Sequence, residues 1–483
     1  VLNLIWALMK FFNEYFDDDS DDLLSDDELI ERVNSAKDLI ESGFFFHNTE
    51  FIEETIQNCL EYDLSEEGLD LCDKLLEFTP YNHEMWQIRG IFCNNNFDFE
   101  EAYEAFNKAL TLNPNDIESL INRSVAEENL GLTDEARESL ERALALDPGN
   151  EDALFSLGIL HERQNNFDSA IECFNDCLEA SPENPEALYE LGFCYESSDR
   201  FVEALAAYDQ YLDLDPYNSI AWYNRGIVLI RQEKYADARN SFDMSIAIRE
   251  DFSSAWFNLG VSYANEENLT KAIESFLKAY EIDPRDEEIL LNLGQAYEDN
   301  NDPLKALKFY TASLKINSLN TEALLARGYC YDSLGKFKFA RRDFNKAVYI
   351  APDSFDSWFA KGDLEFALGK LKKAVYSLSK AARLNSQNYH VWFKLAEVYH
   401  EAGNWQEALT AYEVCITLNP ADADSYYGKA KIYLLLSRKS KAIESLSAAI
   451  KIDPSIRTKF RSEFPEYNNF MSPGESNEDL KSH

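Results

Sequence analysis

Nine of the thirteen prolines, Pro80, Pro114, Pro148, Pro182, Pro216, Pro284, Pro352, Pro420 and Pro454, fall on one register with a spacing of 34 residues. Twenty-two residues after each register point stands an alanine, from Ala102 and Ala136 through Ala408 and Ala442, in eleven of eleven units. A spacing held without insertion or deletion over eleven units is an internal repeat. It overrides the three or so independent domains that a chain of 483 residues would otherwise suggest at about 150 residues each.

Other columns keep the same phase. Ten residues past each register point is a small residue, such as Gly158, Gly226 or Gly294, and four before that is a large apolar one, such as Trp222, Trp256 or Leu290. Four after the alanine comes an aromatic or leucine, such as Phe174, Tyr208, Phe242 or Tyr310. Trp222 and Gly226 are i, i+4 on one helical face; Ala238, Phe242 and Ser245 are i, i+4, i+7 on a second. Each unit therefore reads as two short helices whose axes approach at the small residues. A proline past the second helix prevents its continuation, and Gly131, Gly335, Gly369 and Gly403, or Asn or Asp in other units, mark the turn within the pair. Neither helix alone buries its apolar stripe, so the units must stack.

The pattern W-x2-LG-x2-Y…A-x3-F…P closely resembles the tetratricopeptide repeat (TPR), and residues 253–286 carry it nearly whole in Trp256, Leu259, Gly260, Tyr263, Ala272, Phe276, Ala279 and Pro284. The acidic stretch ahead of the array is also similar to that of uncharacterised bacterial TPR proteins. The resemblance implies an all-α fold, a right-handed α-α superhelical solenoid of tandem helical hairpins. The expected organisation is an acidic, disordered segment over 1–25, a helix and a degenerate unit over 26–82, eleven tandem units over 83–456, and a capping helix with a disordered tail over 457–483. One amphipathic helix is expected over 26–44.

Charge narrows the function. Against 45 Lys and Arg stand 88 Asp and Glu, a net charge of −43, which repels phosphate backbones and anionic headgroups. Nucleic-acid binding is excluded on that ground. No apolar run reaches the roughly 20 residues that span a bilayer, so membrane insertion is not expected. The eight cysteines include no CxxC and read as small buried residues of a reducing compartment, the cytoplasm. The opening VLNLIWALMKFF lacks a basic leader, and translation is expected to start at Met9.

No GxSxG, HExxH, GxxxxGK[ST] or strand-linked GxGxxG occurs, and the six histidines scatter over different repeat columns. His161 and His400 adjoin glutamates, and Cys173 and Cys177 are i, i+4, but such placements suit packing better than catalysis or metal chemistry. Asp17, Asp19, Asp21 and Glu28 match four calcium-loop positions, yet Asp22 replaces the required glycine, so a solvated acidic tail is the expectation. No enzyme activity, cofactor or metal is expected.

The resemblance to TPR arrays implies a concave groove lined by first helices, holding an extended peptide or a partner helix. One position after the Trp/Leu column stand Tyr189, Tyr223, Phe257, Phe359, Phe393 and Tyr427; the next column includes Asn122, Asn224, Asn258 and Asn292. The last three asparagines are in consecutive units. They read either as a ladder of amides bonding a peptide backbone or as ordinary scaffold positions. No unit has the Lys and Asn pair by which chaperone-tail TPRs hold a terminal carboxylate. Glu128, Glu162 and Glu196 recur on first helices, in a stretch (residues 1–300) with 67 acidic and 19 basic residues. Residues 301–460 have 16 and 24, with the basic ones on turns and second helices. That asymmetry steers a basic partner toward the N-terminal groove, supports salt-sensitive self-association, or is a solvated surface of varying sign. The expected role is a non-catalytic scaffold or adaptor. The alternatives are a self-assembly element and a regulatory subunit of a separate enzyme.

Overall fold

A computed structural model describes residues 25–465. The expectations for the preceding acidic run and start site, and for the tail beyond 465, lie outside these residues. Among the described residues there are 26 α-helices, one short 3-10 turn (Phe45–His47) and no strand. The chain divides into two compact units, Val1–Ile248 and Arg249–His483.

The first unit runs α1 (Asp26–Glu41), α2 (Thr49–Glu61), α3 (Ser65–Phe78), α4 (His83–Asn95), α5 (Phe99–Leu112), α6 (Ile117–Asn129), α7 (Thr133–Leu146), α8 (Glu151–Arg163), α9 (Phe167–Ala180), α10 (Pro185–Ser197), α11 (Phe201–Leu214), α12 (Ser219–Arg231) and α13 (Tyr235–Ile248). The second runs α14 (Ser253–Asn265), α15 (Leu269–Ile282), α16 (Glu287–Asp299), α17 (Pro303–Ile316), α18 (Thr321–Ser333), α19 (Phe337–Ile350), α20 (Phe355–Ala367), α21 (Leu371–Leu384), α22 (Tyr389–Glu401), α23 (Trp405–Leu418), α24 (Ala423–Leu435), α25 (Lys439–Ile452) and α26 (Ser455–Glu463). From α4 to α25 every first helix has 13 residues and every second has 14, so each unit is a tandem-hairpin, all-α solenoid.

Side chains in fixed columns build each hairpin. Two residues past the register point, Asn150 accepts from the Ala153 amide at 3.0 Å and Asn184 from Ala187 at 2.8 Å, capping the first helix. At the close approach, a Cβ added to Gly294 would lie 2.3 Å from the Tyr310 ring, so only glycine fits there. The repeated alanines, such as Ala170 and Ala204, are fully buried.

The turn between paired helices holds one residue at positive φ in every unit from α4 on, and glycine supplies it in only four of them. Phe97, Glu233 and Glu267 adopt the same left-handed conformation at φ 63°, 58° and 61°. Hairpin packing overrides a local cost of about 1–2 kcal/mol at each.

The ends depart from the repeat. Helix α1 stops at Glu41, short of residue 44, and Gly43 turns the chain at φ +77°. Its start is a capping box in which Ser25 bonds the Glu28 amide and the Glu28 carboxylate accepts from the Ser25 amide at 2.9 Å. Glu28 thus works as a helix cap. At the other end α26 lays Ile456 and Phe460 into the core of the last hairpin.

Candidate partner-binding face

The aromatic column of the first helices is half-buried, not free-standing. Four of the rings pack on an aromatic of the second helix in their own hairpin. Centroids lie 6.0 Å apart for Tyr189–Tyr208, 5.9 Å for Tyr223–Phe242, 5.6 Å for Phe257–Phe276 and 5.9 Å for Phe393–Tyr412. Phe359 stacks on Phe355 at 5.7 Å. Tyr427 is a correction: it is only 1% exposed because α26 packs over it, with the Lys459 ammonium 5.2 Å from its ring centre. It offers no surface to a partner.

The asparagine column behaves unevenly. Asn224 Nδ2 donates to the Tyr189 hydroxyl at 2.9 Å, joining two successive hairpins of the first unit. Asn258 and Asn292 donate to carbonyls of their own helices, Ser254 and Glu288, each at 3.0 Å. Every one spends an amide proton inside the protein.

The acidic column is more informative. Arg163 Nη1 reaches back one repeat to Glu128 Oε1 at 2.5 Å, and Arg231 Nη2 reaches back to Glu196 Oε1 at 3.6 Å. These pairings take Glu128 and Glu196 out of the expected set of open acceptors. The corresponding position for Glu162 is Ser197, which has no charge to give. Glu162 instead adjoins the carboxyl of Glu190, on the next first helix. Burial pushes both carboxyls up, and the adjoining Glu162 adds to the effect on Glu190, which rises to about 8. Glu162 Oε2 is buried with no hydrogen-bond partner.

Beside this pair lies Tyr208, fully buried, whose hydroxyl has no partner in hydrogen-bonding geometry although Glu196 and Asn224 both face it. Glu190 and Tyr208 were missed as site residues. Glu190 occupies the asparagine column between Ser156 and Asn224, and a carboxyl in a column of amides was the available signal.

In the second unit a cleft of about 580 Å3 crosses the first helices α16, α18 and α20. Leu291, Leu325 and Ala326 supply apolar surface; Asn292, Gln295, Glu298, Glu322 and Asp356 supply polar groups, and no Lys or Arg lines it. At its edge Tyr310 donates to Glu298 Oε2 at 3.0 Å. Burial, reinforced by Asp363, Asp356 and Asp332, pushes the Tyr329 hydroxyl up to about 12.

Stacked helical hairpins with an amide- and carboxyl-bearing first-helix face define an all-α repeat scaffold for protein interaction. Tetratricopeptide repeat models match residues 95–151, 155–219, 220–287, 291–355 and 393–455, with further TPR matches at 129–177 and 362–403. The chain belongs to the tetratricopeptide repeat family. No curated protein matches it in sequence. Among solved structures it is similar to YrrB, described as a TPR protein with an unusual peptide-binding site, at 26% identity over 40% of this chain and 98% of that one, with a TM-score of 0.36. It is similar to a tetratricopeptide repeat protein from Parabacteroides merdae at 21% identity over 52% of this chain and 98% of that one, TM-score 0.39. A chain of the Cut9–Hcn1 hetero-tetramer matches at 14% identity over 86% of this chain and 95% of that one, TM-score 0.39.

Proposed function

We propose that this protein is a non-catalytic adaptor that holds an extended polypeptide segment along its first-helix face. The second-unit cleft carries this reading. Its volume of about 580 Å3 spreads over three consecutive first helices, with an apolar floor and hydrogen-bonding walls. An extended chain presents alternating side chains and regularly spaced amides, which suit such a floor and walls. Rigid hairpins lose little entropy on capturing it. The eight cysteines, all free thiols, accord with action in the cytoplasm.

A photo-crosslinking residue at exposed Gln295, in the cleft, and another at exposed Glu274, on a second helix, test this in the native host. The expected result is a discrete polypeptide adduct from position 295 and none from 274. Equal labelling from both sinks the reading. Replacing Asn224, Asn258 and Asn292 together by Ala separates the two readings of that column. A ladder contributing about 1 kcal/mol per bond predicts roughly a hundredfold loss of affinity, and a scaffold role predicts none.

A second reading, salt-sensitive self-association, rests on the opposite charge balance of residues 1–300 and 301–460. Sedimentation at low and high salt tests it, and a monomer under both conditions removes it.

A further inference from the structure

The repeat contains its own precedent for what belongs beside Glu162. At Glu128 and Glu196 a guanidinium from 35 residues further on sits against the carboxylate. At Glu162 the same position is Ser197, an exposed side chain that leaves the place of the guanidinium unfilled. Arg163, whose field reaches both Glu162 and Glu190, is held by Glu128 at 2.5 Å. A fully buried hydroxyl without a partner, Tyr208, faces Glu196 and Asn224 and lies within the field of Glu190. Glu162 Oε2 and the Tyr208 hydroxyl are therefore buried without a hydrogen-bond partner, and position 197 supplies no cation of its own to Glu162.

The hairpin itself explains why nothing internal fills the place. Glu298 also lacks a following arginine, because position 333 is serine, and it takes the Tyr310 hydroxyl instead. The corresponding residue for Glu162 is Phe174, which has no hydroxyl.

We propose that the Glu162–Glu190 pair is the receptor for one arginine side chain of a polypeptide held on the first-helix face of the first unit, which supplies the guanidinium that Ser197 omits. This rests on the adaptor reading above and adds the chemistry of one anchor residue. A planar guanidinium has five donors, enough to bridge both carboxylates, and its charge offsets theirs. As it enters, its positive charge favours release to solvent of any proton that either carboxyl holds. An ammonium lacks that planar fork and meets the pair only as a point charge.

The test is selection of a displayed library of random twelve-residue peptides on the full chain, followed by affinity measurements on the selected peptides. Wild type is expected to select an arginine at one fixed position, and changing that arginine to citrulline to cost about tenfold or more. Glu162→Gln with Glu190→Gln is expected to lose a similar factor for the arginine peptide and nothing for its citrulline version. Ser197→Arg, which fills the place from within on the pattern of Arg163 and Arg231, is expected to do the same while keeping wild-type helicity. The proposal is overturned if wild type selects peptides without a fixed arginine, or if both variants bind the arginine peptide as tightly as wild type; the adaptor reading then stands. Selection of no peptide at all by wild type overturns the adaptor reading and this proposal together.

Discussion

Tyr208 and Tyr310 occupy the same column of the repeat, 102 residues apart, one in each compact unit. Both are buried to within 1% of full burial, and both pack their rings against a glycine of the preceding helix, Gly192 or Gly294. Each faces a glutamate twelve residues earlier, Glu196 or Glu298. Only the Tyr310 hydroxyl makes the hydrogen bond, at 3.0 Å; that of Tyr208 makes none. The difference lies one repeat downstream. Arg231 draws Glu196 toward itself, whereas position 333 is serine and leaves Glu298 to the tyrosine. A side chain's role in this array is thus set by the residue 35 positions later as much as by its own column.

The largest effects should fall on what the two sites share. Gly192→Ala and Gly294→Ala each push a methyl into a buried ring, at 2.7 Å from Tyr208 and 2.3 Å from Tyr310. Overpacking of this kind costs about 1–3 kcal/mol. Gly294→Ala is expected at the upper end, because a hydrogen bond tethers the Tyr310 ring. Urea unfolding followed by far-UV circular dichroism reads both, and a smaller loss for Gly294→Ala contradicts the tether.

Next come the hydroxyls. Tyr310→Phe removes a buried bond to a carboxylate and should cost about 1–2 kcal/mol, while Tyr208→Phe removes an unpartnered hydroxyl and should be neutral or stabilising. Native-state hydrogen exchange in α17 and α11 reports each site locally. Equal losses at the two sites would erase the distinction.

Ionisation sharpens the contrast further, since the position matching Glu190 beside Glu298 is Ala326. Glu190 lies above its ordinary value of 4.5, at about 8, because of burial and then Glu162. A carboxyl raised in the folded state holds its proton more tightly there than in the unfolded chain. Its contribution is therefore full below pH 4.5 and is lost as pH rises toward 8. Allowing for its partial exposure, the loss is on the order of 1 kcal/mol. Wild type should be less stable at pH 8.5 than at pH 5.5 by that margin relative to Glu190→Gln, with Tm measured at both pH values. Parallel pH profiles would show that Glu190 ionises normally.

These contrasts show what the amino-acid sequence discloses. The period of 34 discloses the fold, because each hairpin is built from nearest-neighbour contacts and a column keeps its environment from unit to unit. Glycine facing an aromatic, alanine at the crossing and proline after the second helix are all legible as columns. The site is only partly legible, because partner choice couples columns across repeats. Glu128, Glu162 and Glu196 are alike in their column, and only residues 163, 197 and 231 tell them apart. Tyr427 keeps the groove phase, but the helix that buries it lies outside the period and leaves no mark on the column. The positive φ of Phe97 and Glu233 was hidden for the opposite reason: the packing imposes a conformation that their side chains do not advertise.

The smallest effect is the most discriminating. Arg231 is half-exposed and lies 3.6 Å from Glu196, so Arg231→Gln alone should cost no more than about 0.5 kcal/mol. The substitution nevertheless releases Glu196 to turn inward, as Glu298 does, and accept from Tyr208. In that background Tyr208→Phe should change from neutral to costly, by about 1 kcal/mol. The double-mutant cycle isolates this coupling from the separate effects of either change. A coupling near zero would mean that Arg231 does not hold Glu196 away from the hydroxyl, and the downstream residue would lose its claim to assign the glutamate's role.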